Sequence, residues 1–165
     1  MKVDHVAIAV HDIAQAVPLF GDALGGRFLT GGDDDGTGMR LVHLALDGLK
    51  LELLQPLRPD APLQAYLDSR GPGFHHLTFF VDDLPSTITD LESAGFAMRG
   101  VDLASPHWRE AFVHPKSSSG ALLQIAETDR NWDEPAAGIT LDDVLAGRVV
   151  WRDLLPCLRN PIRGD

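Results

Sequence analysis

The sequence contains the same strand and helix pattern twice, and this repeat constrains the fold more than any other feature. Asp4–Ile13 is an alternating apolar segment with a histidine near its start, and His75–Leu84 repeats it 71 residues later. Each copy runs through an aspartate into a segment whose apolar residues have helical spacing. Such a repeat usually dictates the architecture, because each copy forms one structural unit. We therefore expect two modules of the same topology.

Turn and cap signals give each module the order β-α-β-β-β. In the first module Asp12 is placed to cap a helix, and Pro18 predicts that this helix is short or kinked. Asp47-Gly48 predicts a two-residue hairpin, because glycine accepts positive φ. The polar, glycine-rich stretch 31–38 predicts a loop. The second module repeats this order, with a helix over 83–94 that ends before Gly95.

These elements predict an α+β fold in which two tandem βαβββ modules form a curved mixed sheet around a metal site. A helical C-terminal tail follows, with a capped helix over 139–147 and a second amphipathic segment over 149–158. The expected boundaries are 1–57 for the first module, 58–73 for a linker with a short helix, 74–127 for the second module and 128–165 for the tail. The tail carries enough apolar surface to dock on the body or on a second subunit, and we expect a homodimer.

Composition excludes several classes of partner. The formal net charge is −10, and the fourteen Lys and Arg residues are scattered, which argues against nucleic acid as a partner. No apolar run approaches the roughly 20 residues that span a bilayer. Residues 1–4 lead directly into a strand without a signal-peptide pattern. The sequence predicts a cytoplasmic protein that binds neither nucleic acid nor membrane.

Each module ends in a strand with one polar residue among apolar ones. These residues are Glu52 and Gln124, and they lie 72 residues apart. With His5 and His76 they form a mixed nitrogen and oxygen set suited to a divalent metal ion. Each has another explanation when taken alone: a hydrogen-bonded core histidine, a glutamate on a solvent-exposed strand face, or an edge-strand amide. The common period of all four favours a metal site.

Several segments carry a family resemblance. They resemble the vicinal oxygen chelate superfamily, which includes glyoxalase I and extradiol dioxygenases, and within it the methylmalonyl-CoA epimerases. The segments are Asp4–Val10, Leu51–Leu57, Gly71–Leu77 with Val81–Asp83, and Phe112–Ser117 with Gly120–Gln124. The resemblance covers residues 3–127. It implies that His5, Glu52, His76 and Gln124 bind a divalent ion, namely Co, Zn, Ni or Mn.

The resemblance also implies a reaction. A metal-dependent isomerase of this family would remove the C2 proton of a 2-methylmalonyl-CoA-like thioester and return it on the other face, through an enolate held by the ion. The family usually has Gln in the first module and Glu in the second, whereas this chain has the reverse. We therefore interpret Glu52 as both metal ligand and catalytic base.

Two further residues are candidates for the site. Asp35 lies 17 residues before Glu52, close to where the family carries another acidic residue, and is a candidate second acid/base group. The alternative is a solvated turn. Lys116 is a candidate contact for a phosphate or carboxylate of the substrate, and the alternative is an ordinary surface lysine.

Three other functions fit the same scaffold. One is a glyoxalase I-type lyase acting on a glutathione hemithioacetal. Another is a ring-cleaving dioxygenase, in which iron would be held by His5, His76 and Glu52 with Gln124 only a neighbour. The last is a non-enzymatic small-molecule binding protein, against which the complete ligand set argues.

Overall fold

The computed structural model describes residues 1–159, which fall into two compact units. Unit 1 consists of residues 1–8 and 74–131, and unit 2 of residues 9–73 and the described part of 132–165. The strands are β1 (Lys2–Ala9), β2 (Arg27–Asp34), β3 (Met39–Leu46), β4 (Leu49–Pro56), β5 (Gly73–Phe80), β6 (Met98–Asp102), β7 (Trp108–Val113), β8 (Leu123–Thr128), β9 (Val149–Arg152) and β10 (Leu155–Leu158). The α-helices are α1 (Ile13–Val17), α2 (Pro62–Arg70), α3 (Leu84–Ser93) and α4 (Leu141–Leu145). None of the helices within residues 1–159 is long and apolar enough to cross a membrane.

In unit 1 the strands follow the order β1-β5-β8-β7-β6. Strand β8 pairs in parallel with β5, where Thr78 lies opposite Gln124, and antiparallel with β7. Helix α3 begins at the cap residue Asp83, whose side chain accepts from the Ser86 backbone N–H at 2.8 Å. Apolar side chains of α3 and of strands β6, β7 and β8 form the core of this unit, namely Leu84, Met98, Ala111, Val113 and Ile125. The polar residues of β5 and β8 are thus held by a rigid, packed layer.

In unit 2 the strands follow the order β10-β9-β2-β3-β4. The predicted hairpin is confirmed: Leu46 pairs with Leu49, and Gly48 has φ of 74°. Helix α1 is capped by Asp12, which accepts from the Ala14 backbone N–H at 2.9 Å. It ends at Val17, and Pro18–Ala23 continues as a π-helical segment. The prediction of a short or kinked first helix is confirmed, because proline has no N–H to extend the α-helical ladder.

The predicted loop over residues 31–38 is wrong for its first half. Strand β2 extends through Asp34, and Gly31, Gly32 and Asp33 are buried. A Cβ atom on Gly31 would lie 2.6 Å from the Leu41 carbonyl oxygen. The glycines therefore permit close packing of strands rather than a turn, which one sequence pattern does not distinguish.

The prediction of a helical tail is also wrong for its second segment. Helix α4 forms as predicted, with a capping box between Thr140 and Asp143, but residues 149–158 form the hairpin β9–β10. Its turn has positive φ at Asp153 and Leu154, which matches the twist of a two-residue hairpin. Val149 and Val150 are buried, and Val150 pairs in parallel with Asp33 of β2. The tail segment 160–165 lies outside the described residues.

The α+β class and the repeated β-α-β-β-β order are confirmed, and each unit contains both parallel and antiparallel pairs. The compact units are grouped differently from the sequence modules. Residues 1–8 belong with the second module, because β1 lies next to β5 in the strand order, and the tail belongs with the first.

Candidate functional site

His5 lies on β1 and is buried beside an acidic neighbour. Its Nδ1 is 2.7 Å from Oδ2 of Asp4, which is buried as well. A carboxylate only accepts hydrogen bonds, so Nδ1 carries the imidazole proton and its N–H donates a hydrogen bond to Asp4. This arrangement, in which a carboxylate orients an imidazole, is typical of histidines that bind metals through the other nitrogen.

Thr78 connects His5 to Gln124. The side chain is fully buried on β5, and its hydroxyl donates to Oε1 of Gln124 at 2.6 Å. The hydroxyl oxygen of Thr78 also lies 2.9 Å from Nε2 of His5. The facing nitrogen of the histidine and the carbonyl oxygen of the amide are therefore both neighbours of one hydroxyl group.

His76 is the second buried imidazole of unit 1. It lies on β5, its ring centroid is 5.5 Å from that of His5, and the two rings meet edge to face. Nδ1 of His76 is 2.7 Å from Nδ1 of His75. One of these two nitrogens donates and the other accepts, so His75 orients the ring of its neighbour.

Gln124 on β8 has a carboxylate partner that is not among the predicted site residues. Its Nε2 donates to Oε2 of Glu110 at 2.6 Å, and Nε1 of Trp108 donates to the same oxygen at 2.9 Å. Glu110 lies on β7. In the strand register it is opposite Ala126, which is two positions along β8 from Gln124. The signal available in the sequence was an acidic residue on the strand before Gln124.

Glu52 lies on β4 in unit 2 and is 5% exposed. Its Oε1 accepts from Nε2 of His43 at 2.9 Å. His43 was not among the predicted site residues, although the hairpin at Asp47-Gly48 fixes a register in which His43 and Glu52 face each other directly. His43 and Glu52 form the fourth residue pair counted from this turn.

The alternative that Glu52 shares a solvent-exposed strand face is wrong. Lys50 and Leu54, two residues to either side, are both buried. Nζ of Lys50 donates to Oδ1 of Asp133 at 2.9 Å and to the Trp132 carbonyl oxygen at 3.1 Å. The tail thus covers this face of β4.

Asp35 and Lys116 are exposed. Asp35 forms an ion pair with Arg159, whose Nη1 and Nη2 donate to its two oxygens at 2.9 and 2.6 Å. The hydrogen bonds from Arg159 lower the pKa of Asp35 below its ordinary value. Lys116 lies in the loop after β7, where its backbone N–H donates to Nδ1 of His114 at 3.1 Å.

Each unit contains buried groups of the types that bind divalent metal ions. In unit 1 these are the imidazoles of His5 and His76 and the carboxamide of Gln124, and in unit 2 the carboxylate of Glu52. Imidazole and carboxylate ligands suit borderline ions such as Zn, Co, Ni and Mn. Buried polar groups of this kind are costly unless they are hydrogen-bonded or coordinate a metal.

Comparisons of sequence and of structure with known proteins point to the same family. The model of the Glyoxalase/Bleomycin resistance protein/Dioxygenase superfamily matches residues 4–112. Ethylmalonyl-CoA/methylmalonyl-CoA epimerase of Cereibacter sphaeroides is 28% identical over 130 residues, which is 76% of this chain and 97% of that protein. The mitochondrial methylmalonyl-CoA epimerase of Homo sapiens is 28% identical over 129 residues, 76% of this chain and 73% of that protein. The crystal structure of methylmalonyl-CoA epimerase from Mycobacterium tuberculosis superposes with a TM-score of 0.69 and 31% identity, over 78% of this chain and 89% of that chain.

Proposed function

The chain belongs to the Glyoxalase/Bleomycin resistance protein/Dioxygenase superfamily, and within it we propose that the protein is a metal-dependent epimerase of a 2-methylmalonyl-CoA-like thioester. The epimerases among its relatives support an isomerase acting on an acyl-CoA. Neighbours in the structural comparison include an epimerase of Streptomyces coelicolor in complex with 2-nitronate-propionyl-CoA, at 27% identity.

We propose His5, Glu52, His76 and Gln124 as the ligands of a divalent ion, namely Co, Zn, Ni or Mn. Their common burial and their mixed nitrogen and oxygen donors support this assignment. A bound ion would supply positive charge opposite the carbonyl oxygen on which negative charge develops when the C2 proton leaves.

Buried Glu52, oriented by His43, is the observation that carries the reaction. It is the one carboxylate among the four proposed ligands, and its Oε1 accepts a hydrogen bond from Nε2 of His43 at 2.9 Å. A carboxylate in this role accepts the acidic C2 proton from one face of the substrate carbon, and a second acid/base group, for which Asp35 is the candidate, returns a proton to the opposite face. General acid–base catalysis of this type contributes about 10²–10⁴-fold to the rate.

Asp35 and Lys116 stay predictions for supporting roles. The lowered pKa of Asp35 keeps it ionised and makes it a weaker proton acceptor than an ordinary aspartate. The exposed ammonium of Lys116 suits an anionic part of an acyl-CoA thioester. A cytoplasmic location and a homodimeric state are likewise predictions. Light scattering on the purified protein measures its mass in solution and so tests the homodimer.

Deuterium exchange tests the proposed reaction directly. The full chain is loaded separately with Co²⁺, Zn²⁺, Ni²⁺ or Mn²⁺ and incubated with methylmalonyl-CoA in D₂O, and deuterium at C2 is followed by mass spectrometry. We expect incorporation well above that of samples without protein, and its loss on chelation of the ion. Absence of incorporation with every ion would refute the epimerase proposal. Activity that requires iron and oxygen on a catechol substrate would instead favour the ring-cleaving dioxygenase.

A further inference from the structure

We infer that Glu110 is a positioning residue that sets which end of the Gln124 amide is available as a metal ligand. The inference rests on the metal site of the proposed function and extends it to a residue outside the ligand set. All the contacts that support it lie within unit 1.

A glutamine presents its oxygen in only one of its two amide orientations. A carboxylate would offer an oxygen either way round, but the NH₂ group of an amide is a donor and not a ligand. Gln124 can therefore bind a cation only when its amide is turned so that Oε1 is on the side of the other ligands. Some neighbouring group must select this orientation.

Thr78 does not select it alone. Its hydroxyl donates to Oε1 of Gln124 at 2.6 Å, but a hydroxyl also accepts hydrogen bonds and could face an NH₂ group equally well. The contact is compatible with either orientation of the amide.

Glu110 does select it. Its carboxylate accepts only, and Oε2 receives the Gln124 Nε2–H at 2.6 Å. The reversed amide would place a carbonyl oxygen against this carboxylate, which is repulsive. Trp108 holds the carboxylate in place, because its indole N–H donates to the same Oε2 at 2.9 Å.

The selected orientation leaves the carbonyl oxygen available to an ion. Oε1 has two lone pairs, one of which accepts from Thr78. The second lone pair is the one that an ion could use, and the Thr78 hydroxyl oxygen, 2.9 Å from Nε2 of His5, places this amide near that histidine. Glu110 thus acts on the ion through Gln124 rather than by contact with it.

Calorimetric titration of metal-free full-length protein with Co²⁺ tests this role. We expect Glu110→Leu to weaken Co²⁺ binding by about 10–100-fold, the usual effect of removing a group that orients a ligand. Glu110→Gln should stay within about threefold of the wild type, because Trp108 directs the new amide oxygen to where the carboxylate oxygen was. Glu92→Gln, an exposed site on α3, is the control for loss of one negative charge.

The comparison of the two Glu110 variants separates orientation from charge. If Glu110→Gln weakens binding as much as Glu110→Leu, the carboxylate acts through its charge and the positioning role is refuted. If wild type and Glu110→Leu bind Co²⁺ equally, the positioning role is refuted while the metal site stands. If the wild type does not bind Co²⁺, the metal site itself fails, and this inference with it.

A measurement without metal provides a second readout. The side-chain amide protons of Gln124, assigned with a Gln124→Ala variant, should show one strongly downfield NMR signal that disappears in Glu110→Leu. An unchanged signal would refute the contact.

If Glu110→Leu does not fold, two other variants test the inference. The single variant Gln124→Glu places two carboxylates against each other. The double variant Glu110→Gln/Gln124→Glu again pairs an amide donor with a carboxylate acceptor. We expect a lower melting temperature for the first and recovery in the second, and no recovery would overturn the inference.

Discussion

The polar residues on the last strand of each module have partners of opposite hydrogen-bonding type. In unit 2 the Glu52 carboxylate accepts from the imidazole of His43. In unit 1 the Gln124 amide donates to the carboxylate of Glu110. A carboxylate has acceptors only, and an amide has an NH₂ group to satisfy. Each polar residue therefore has a partner of the complementary type on the adjacent strand: a hydrogen-bond donor for Glu52 and an acceptor for Gln124.

The two units also differ in how these residues are covered. The connected groups of unit 1, from Asp4 to Glu110, all belong to the repeat. In unit 2 the tail contributes: Trp132 meets the ring of His43 edge to face at 6.5 Å, and Asp133 pairs with Lys50. The family model ends at residue 112, so the tail is additional to the matched region. The proposed catalytic carboxylate thus lies in the unit that the tail stabilises.

The sharpest test of this difference is Glu52→Gln, which gives unit 2 the amide that unit 1 already has. We expect the rate of C2 deuterium exchange to fall by about 100-fold or more, because an amide does not accept the proton. Co²⁺ affinity should fall much less, since an amide oxygen can still bind an ion. Glu134→Gln, on the exposed tail, is the control. Wild-type exchange in Glu52→Gln would show that the base is elsewhere.

The close packing of β2 in unit 2 is tested by Gly31→Ala. The added Cβ would lie 2.6 Å from the Leu41 carbonyl oxygen and 3.3 Å from Cγ1 of Val144 in α4. We expect a loss of about 2–3 kcal/mol in the free energy of unfolding, measured in urea, because backbone must shift to relieve the contact. Gly36→Ala, in the exposed turn after β2, should cost less than about 1 kcal/mol. Equal costs at the two glycines would contradict the close packing of β2.

In unit 1, Thr78→Val removes the hydroxyl that connects His5 and Gln124 at nearly constant volume. The buried Gln124 oxygen loses this donor, so we expect destabilisation by about 1–3 kcal/mol. Thr89→Val, where the hydroxyl bonds to the Pro85 carbonyl on an exposed helix face, should have a smaller effect. Thermal unfolding measures both variants. A Thr78→Val protein as stable as the wild type would show that the connection contributes little.

The smallest expected effect concerns Asp35 and Arg159 in unit 2. Because the pKa of Asp35 is lowered in the folded chain, its stabilising contribution is present above the ordinary carboxyl pKa near 4 and is lost as pH falls through the folded value. The Asp35 side chain is 61% exposed, so Asp35→Asn should cost at most about 1 kcal/mol.

Melting temperatures at pH 7 and pH 3 measure this effect. The gap between wild type and Asp35→Asn should narrow at pH 3 and also in 1 M salt, which screens the pair. Asp60→Asn, an exposed partner of Arg58, controls for loss of a surface carboxylate. A gap that does not change with pH would exclude the ion pair as its cause.

Local chemistry allowed much of the fold to be predicted. The caps at Asp12 and Asp83 and the turn at Asp47-Gly48 depend on residues within four positions of each other, so their pattern is visible in the chain. The extension of β2 through Asp34 pairs with the nearby β3, but a stretch rich in glycine and aspartate is also typical of a loop. The further partner of this segment, Val150, lies more than a hundred residues later. The hairpin β9–β10 was not predicted either. The spacing of its apolar residues is compatible with a helix or a strand, and only the pairing with β2 distinguishes the two.

The sequence by itself determined the repeat, the topology of each module and the identity of the four candidate ligands, whose roles stay predictions. Only the tertiary structure decided their partners. Asp4 is adjacent to His5 in the sequence, but Thr78, Glu110 and His43 reach their hydrogen-bond partners across strands. Hydrogen bonds of this kind depend on strand register and amide orientation. Both are set by packing over the whole sheet layer of each unit, and neither is encoded in a short segment of chain.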